Sequence, residues 1–301
     1  MVECDLFSAT VAIFLPDASM NHLFIDNLTV IDFAYLDYHR GLVGESWIAD
    51  IVLGGELDDQ GMVFDFGNVK RTIKRVIDER VDHRLVVPAG ADCLHREDSP
   101  GCLQWQLADG RHIRHLGPEQ SVVFLEHHQV VPSAVAALLE QELKAVLPAN
   151  VTDVQVTLRE ELIEGAYYHY VHGLKKHLGN CQRIAHGHRS PIHINLNGRR
   201  SPELEKHWAL QWQDIYIGTR EDLSQSWTDS DGTEYVSFHY DAEQGEFRLT
   251  LPRQRVWLLD TDTTVELIAA YLADEIKKAH PLDEVRVKAF EGVGKGAIAV
   301  R

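Results

Sequence analysis

The sequence predicts an α+β chain built as two similar halves. Three observations predict it: β-like runs are spread along the whole length, three helices show a clean apolar face, and the halves echo each other in element order. The 301 residues suit about two domains. The boundary is expected near residue 160, giving units 1–160 and 161–301.

In chain order, β-like runs at 28–36 and 46–53 open the first half. A helix then follows Asp65, a suitable N-cap, because Val69, Ile73, Val76 and Ile77 fall on one face. A second helix starts near Ser133 after Pro132, carries Val135, Leu138, Leu139 and Leu143, and ends before Pro148. A strand at 151–158 alternates Val154, Val156 and Leu158 with polar residues. The second half opens with runs at 166–172 and 192–196. Its helix starts at Thr263 or Thr264 and carries Leu267, Ile268, Tyr271, Leu272 and Ile276, with Lys277 and Lys278 at the negative end of its dipole. Runs at 285–290 and 297–300 close the chain. The segments 89–116 and 201–259 read as insertions; the second holds Trp208, Trp212, Trp227 and Trp257 and is expected to be packed.

Hydrophobic residues make up 45% and charged residues 25%, an ordinary globular balance. With 29 Lys and Arg against 46 Asp and Glu, the net charge of −17 opposes non-specific binding to nucleic acid or to an anionic membrane. No apolar run approaches the ~18 residues of a membrane span. The first ten residues, MVECDLFSAT, lack a basic stretch ahead of an apolar one, so no secretory signal is expected. Cys4, Cys93, Cys102 and Cys181 are scattered, which fits a reducing cytoplasm better than a disulfide framework.

The chemistry concentrates in His172–His188, HGLKKHLGNCQRIAHGH. On a strand, His186 and His188 point to the same face and can share one metal. His172 can supply a third ligand, and three His with an open position is how a catalytic zinc is held. The competing reading is a set of surface histidines in a chain with 17 of them. Cys181 reads as an inert small residue, a fourth ligand, or a base and nucleophile with a lowered pKa.

These residues resemble the 6-pyruvoyl-tetrahydropterin and 6-carboxy-tetrahydropterin synthase family. Tyr168-His-Tyr-Val-His172, Gly179-Asn-Cys181 and His186-Gly-His188 are similar to its zinc and cysteine motifs. The resemblance implies His172, His186 and His188 as Zn2+ ligands and Cys181 as the catalytic base. In the other half, Gly61-Met-Val-Phe-Asp-Phe-Gly67 with Lys70, and Val81-Asp82-His83-Arg84-Leu85, are similar to further family signatures. By resemblance Asp82 and His83 complete a triad with the cysteine; by themselves they read as a helix cap and a dipole-compensating His. Thr263-Thr-Val-Glu266 matches a segment whose glutamate anchors the pterin, and Lys288-Ala-Phe-Glu291 one whose glutamate contacts the pterin or the side-chain site, so Glu266 and Glu291 are substrate-binding candidates by resemblance. Thr263-x-x-Glu266 is also a capping box.

The resemblance covers both halves as tandem tunnelling-fold units, antiparallel sheets with helices on one face that close a barrel on oligomerisation. A trimer of tandem chains is one such homo-oligomer. The first unit departs from the pattern: Asp37 stands where a zinc His is expected, and Val43 and Glu45 replace His-x-His. The second lacks an Asp-His segment. Each complete site is therefore expected to combine the zinc and thiol of one half with Asp82 and His83 of the other, within a chain or between chains. The implied reaction converts 7,8-dihydroneopterin triphosphate to 6-carboxy-5,6,7,8-tetrahydropterin, losing triphosphate and acetaldehyde, as on the queuosine route. Lys175, Lys176, Arg183 and Arg189 are candidates for the triphosphate. The alternatives are 6-pyruvoyl-tetrahydropterin formation and a non-catalytic, zinc-containing pterin binder.

Overall fold

The computed structural model describes residues 20–301. The expectations about the first ten residues, and Cys4, lie outside them. The first half runs β1 (Asn21–Asp37), β2 (Gly41–Gly55), α1 (Phe66–Arg80), β3 (Leu85–Pro88), β4 (Leu94–Arg96), β5 (Leu103–Gln106), β6 (His112–Leu116), β7 (Val122–Leu125), α2 (Pro132–Lys144) and β8 (Val151–Glu160). The second runs β9 (Tyr167–His172), β10 (His186–Leu196), the short β11 (Arg199–Arg200), α3 (Pro202–Gln211), β12 (Ile215–Thr219), β13 (Leu223–Thr228), β14 (Glu234–Ala242), β15 (Gly245–Pro252), β16 (Val256–Leu259), α4 (Val265–Ala279), β17 (Val285–Phe290) and β18 (Gly296–Val300).

The expected helices form on their expected faces. Asp65 caps α1 by accepting from the Asn68 amide at 3.0 Å, and Val69, Ile73, Val76 and Ile77 are its buried residues. In α2, Val135, Leu139 and Leu143 face the same core. The cap of α4 is Thr264, which accepts from the Leu267 amide; Thr263 is left free for another role. Among the described residues no helix is long and apolar enough to cross a membrane.

The halves share one plan. The first sheet has the order β7-β3-β1-β2-β8 and the second β16-β12-β9-β10-β17-β18, so the order is preserved strand for strand with β18 added. The central pairs β1–β2, β2–β8, β9–β10 and β10–β17 are antiparallel. The outer strands β3, β7, β12 and β16 join in parallel because a helix or the inserted strands lead into them. α1 and α2 cover one face of the first sheet, and α3 and α4 one face of the second, each closing an apolar core.

The segment 201–259 is not wholly an insertion. α3, β12 and β16 belong to the second sheet's plan in the places of α1, β3 and β7, and only β13–β15 leave it. The amphipathic pattern of α3 is weak: Glu205 is buried beside Trp208 and Ala209, where it accepts from the Ile194 amide and pairs with Arg200. Trp208, Trp212 and Trp257 pack with Tyr271 of α4, and the Trp257 indole donates to the Tyr271 hydroxyl at 3.0 Å. The strands inserted in the two halves, β4–β6 and β13–β15, form a third sheet together, joined where β15 pairs β6.

The two main sheets meet at two glycines. A Cβ on Gly44 would lie 1.9 Å from the Tyr170 carbonyl oxygen, and one on Gly187 would lie 2.7 Å from the Gly44 Cα. Only side chains without a Cβ allow this approach. Superposing Gly44 on Gly187 relates the halves residue by residue through their strand registers. Val43 and Tyr35 then correspond to His186 and His172, and Glu45 to His188. The position equivalent to the first zinc-type His is therefore Tyr35, not Asp37. Asp37 instead holds the β1–β2 turn by accepting from the His39 and Arg40 amides.

Candidate metal and thiol site

β9 and β10 bring three imidazoles together because His172 pairs His186 across the hairpin and His188 follows two residues on, on the same face. The three are fully buried, and one ring nitrogen of each lies within 4.8 Å of the others. His172 Nδ1 lies 2.9 Å from the Thr263 carbonyl oxygen, and His186 Nδ1 lies 2.9 Å from that of Arg183. A carbonyl only accepts, so each Nδ1 carries the proton and each Nε2 presents a lone pair. His188 Nδ1 faces the Asp32 carboxylate at 3.2 Å. The Nε2 atoms of His172 and His188 stand 3.3 Å apart, and that of His186 has no hydrogen-bond partner among the described residues. Buried lone pairs that converge without a proton between them fit a cation. The carbonyl and carboxylate behind each ring are the outer partners that orient metal-binding histidines. Burial pushes His172 and His186 well below the ordinary imidazole value, keeping them neutral as ligands must be.

Asp82 and His83 come to this cluster from the first half of the same chain. The turn after α1 puts His83 in the left-handed region at φ +56°, with its amide donating to the Asp32 carbonyl at 2.7 Å. Asp82 Oδ1 accepts from the Asp32 amide at 2.9 Å, and its Oδ2 lies 2.5 Å from His83 Nδ1. The His83 ring lies 5.1 Å from that of His186, and His83, Cys181 and His186 form a second group whose ligand atoms lie within 4.8 Å. Burial opposes charge on His83, but Asp82 and Cys181 outweigh it and raise the imidazole to about 10. Cys181 sits in a short 3-10 turn (Asn180–Gln182), half-buried and without a disulfide among the described residues.

Glu291 reaches the edge of the site, with Oε1 3.9 Å from His188 Nε2. Glu266 does not reach the cluster: it stands exposed in the first turn of α4, without a hydrogen-bond or ion-pair partner among the described residues. Of the cations expected near the motif, Lys175 pairs with Asp222 and Glu221, Lys176 with Asp262, and Arg189 with Glu160. Arg183 alone turns toward the site, donating to the Asp82 and His83 carbonyls. Burial and the neighbouring Arg84 lower it to about 10, still charged at neutral pH.

Sequence reasoning missed a layer of support. Asp32 is buried in contact with His188, Ser46 and Lys295. Burial opposes its charge, yet these partners hold it well below the usual carboxylate range. Gly292, at φ +73°, lets the 291–295 loop cross over it, since a Cβ there would lie 2.3 Å from Asp32 Oδ1. The signal available was the Gly-Val-Gly-Lys run after Glu291, whose glycines permit the turn that delivers Lys295.

A family model described as 6-pyruvoyl tetrahydropterin synthase matches residues 37–170, a stretch that includes Asp82 and His83 and stops before His172. A solved 6-pyruvoyl tetrahydropterin synthase from Plasmodium vivax is 17% identical, covering 48% of this chain and 94% of its own, with a TM-score of 0.41. One from Plasmodium falciparum is 16% identical, covering 46% and 98%, with a TM-score of 0.37. No curated protein matches the sequence.

Proposed function

We propose that the chain, which a 6-pyruvoyl tetrahydropterin synthase family model matches over residues 37–170, is a zinc-dependent pterin synthase with one composite site per chain. The reading is carried by one observation: Asp82 and His83 of the first half meet Cys181 and the three histidines of the second. In this reading the halves have lost complementary parts, and each chain rebuilds one site. Tandem units of residues 1–160 and 161–301 are part of the proposal.

His172, His186 and His188 would hold the zinc through Nε2. When bound there, zinc supplies Lewis acidity that lowers the pKa of substrate hydroxyls. Cys181 is the base that moves protons on the side chain of 7,8-dihydroneopterin triphosphate. His83, held as imidazolium by Asp82, stands beside Cys181 as its proton partner. Glu291 offers a carboxylate to ring and amino N–H groups of the pterin. Arg183 faces the triphosphate end. The product is 6-carboxy-5,6,7,8-tetrahydropterin, with triphosphate and acetaldehyde released, a precursor on the queuosine route made in the cytoplasm. Exposed Glu266 fits a role at a contact between chains, in a homo-oligomer such as a trimer of tandem chains.

The test is mass-spectrometric product analysis of zinc-loaded protein given 7,8-dihydroneopterin triphosphate. A 6-carboxy product with acetaldehyde is expected, reduced at least about a thousandfold in Cys181→Ala while the zinc stays bound. A 6-pyruvoyl product would move the assignment to that branch. Unchanged substrate with zinc in place would make the protein a binder.

A further inference from the structure

The symmetry that relates the halves also carries the metal site onto a cavity of about 450 Å³ between the halves, lined by Tyr35, Glu45, Trp47, Glu160, His169 and Arg189 among others. The correspondence follows from the strand registers. Glu45 takes the position of His188, His169 that of Asp32, and Glu160 that of Glu291. Asp214 corresponds to His83 and shares its left-handed backbone, φ +54° against +56°. Where His83 faces Cys181, Asp214 is gripped by Arg40 through two hydrogen bonds of 2.6 and 3.0 Å.

No metal fits this cavity, because Val43 offers no donor at the position of His186, and the Tyr35 hydroxyl already accepts from Arg40 at 3.0 Å. Yet the cavity has not become apolar. The Glu45 carboxyl is 3% exposed. Its Oε1 accepts only from the adjacent Ser46 amide, and its Oε2 lies 3.9 Å from His169 Nδ1, which is committed to the Gly44 carbonyl at 2.7 Å. The Trp47 indole N–H, also buried, has no partner among the described residues. Burying the Trp47 donor without a partner and leaving Glu45 Oε2 without a hydrogen bond carries a desolvation cost that apolar side chains at the same positions would not. Burial raises Glu45 to about 8. A ligand that offers N–H donors removes this cost.

We infer that this cavity is a second, metal-free site for a pterin-class heterocycle, whose ring and amino N–H groups bind Glu45 and Glu160 and whose carbonyl accepts from Arg189 or Trp47. The ligand class rests on the proposed synthase reading; the site itself rests on the symmetry and the unsatisfied groups. The cavity keeps the carboxylate edge of the catalytic site and lacks its zinc, thiol and imidazolium, so it binds without turnover.

Calorimetric titration of the zinc-loaded whole chain with neopterin tests this. Two equivalents per chain are expected. Glu45→Gln, which keeps the volume and removes the carboxylate, should abolish one; Glu291→Gln should weaken the other. Glu160→Gln, at an exposed side chain, provides a second variant, with about tenfold weaker binding expected at the Glu45 site. One equivalent per chain, lost in Glu291→Gln and untouched by Glu45→Gln, overturns the second site and leaves the synthase reading standing. Two equivalents without any conversion of dihydroneopterin triphosphate would sustain the site and overturn the synthase. No binding at either place overturns both.

Discussion

Where the second half carries His188, its lone pair aimed at two other imidazoles, the first half carries Glu45, a carboxyl with almost nothing to bond. The backbones around them match: the same strand order, the same glycine at the crossing, and the same left-handed residue after the helix. The partner across the interface is exchanged in kind. Asp32 backs His188, and His169 faces Glu45, so each pocket sets an acid against an imidazole with the roles reversed. The pair with a basic residue inside can serve a cation, and the pair with an acid inside can serve N–H donors. The fold supplies a position, and a handful of side chains decide its chemistry.

The largest way to break the comparison is to remove the point it pivots on. Gly44→Ala puts a methyl group into the Tyr170 carbonyl, so a loss above about 4 kcal/mol, or no folded protein, is expected in chemical denaturation. An unchanged midpoint would mean that the halves do not pack through Gly44. A smaller and more local effect is expected at Asp32. Asp32→Asn keeps the shape but weakens the support of His188, and should cost about 10- to 100-fold in zinc affinity, measured by competition with a chromogenic chelator. The equivalent His169→Asn should leave zinc affinity unchanged.

The smallest effect sharpens the contrast through pH. Glu45 has its folded pKa raised from 4.5 to about 8, so the folded state holds a proton that the unfolded state has released. Its contribution is full below the unfolded value and is lost as pH rises through the folded one. Between pH 6 and pH 8 the wild type should therefore lose about 2 kcal/mol relative to Glu45→Gln. Parallel stability curves for the two proteins would show that Glu45 ionises normally.

Much of the candidate metal cluster was legible because its residues sit close together in sequence and belong to types with few roles: His172, Cys181, His186 and His188 span one hairpin. Asp82 and His83 were legible only through resemblance, since an acid and a His at a helix end have an ordinary use there. Their meeting with Cys181 depends on how two sheets pack, which no local pattern encodes. Asp32 was invisible for a related reason: an acid in the middle of a strand, between Ile31 and Phe33, gains its meaning only from His188 and Lys295 across the interface. Glu266 is the opposite case: its motif is easily read, but one helix start serves two readings, and the cap falls to Thr264 while Glu266 stands exposed. The helix α3 was missed because its buried face includes Glu205, whose partners Arg200 and the Ile194 amide satisfy it without an apolar signature.

The sheet that both insertions build has a consequence for how the chain comes into being. Its central seam pairs Arg114 with Thr250, residues that leave the ribosome far apart in time. At roughly 5–20 residues per second, β6 waits on the order of ten seconds for its neighbour, with an unpaired edge exposed meanwhile. Pairings this distant in sequence are also slow to close once both strands exist. The protein's slowest step in acquiring its native state is therefore expected at this seam, after each half has already gathered its own helices. A chaperone that shields a bare strand edge would find its substrate in the nascent first half.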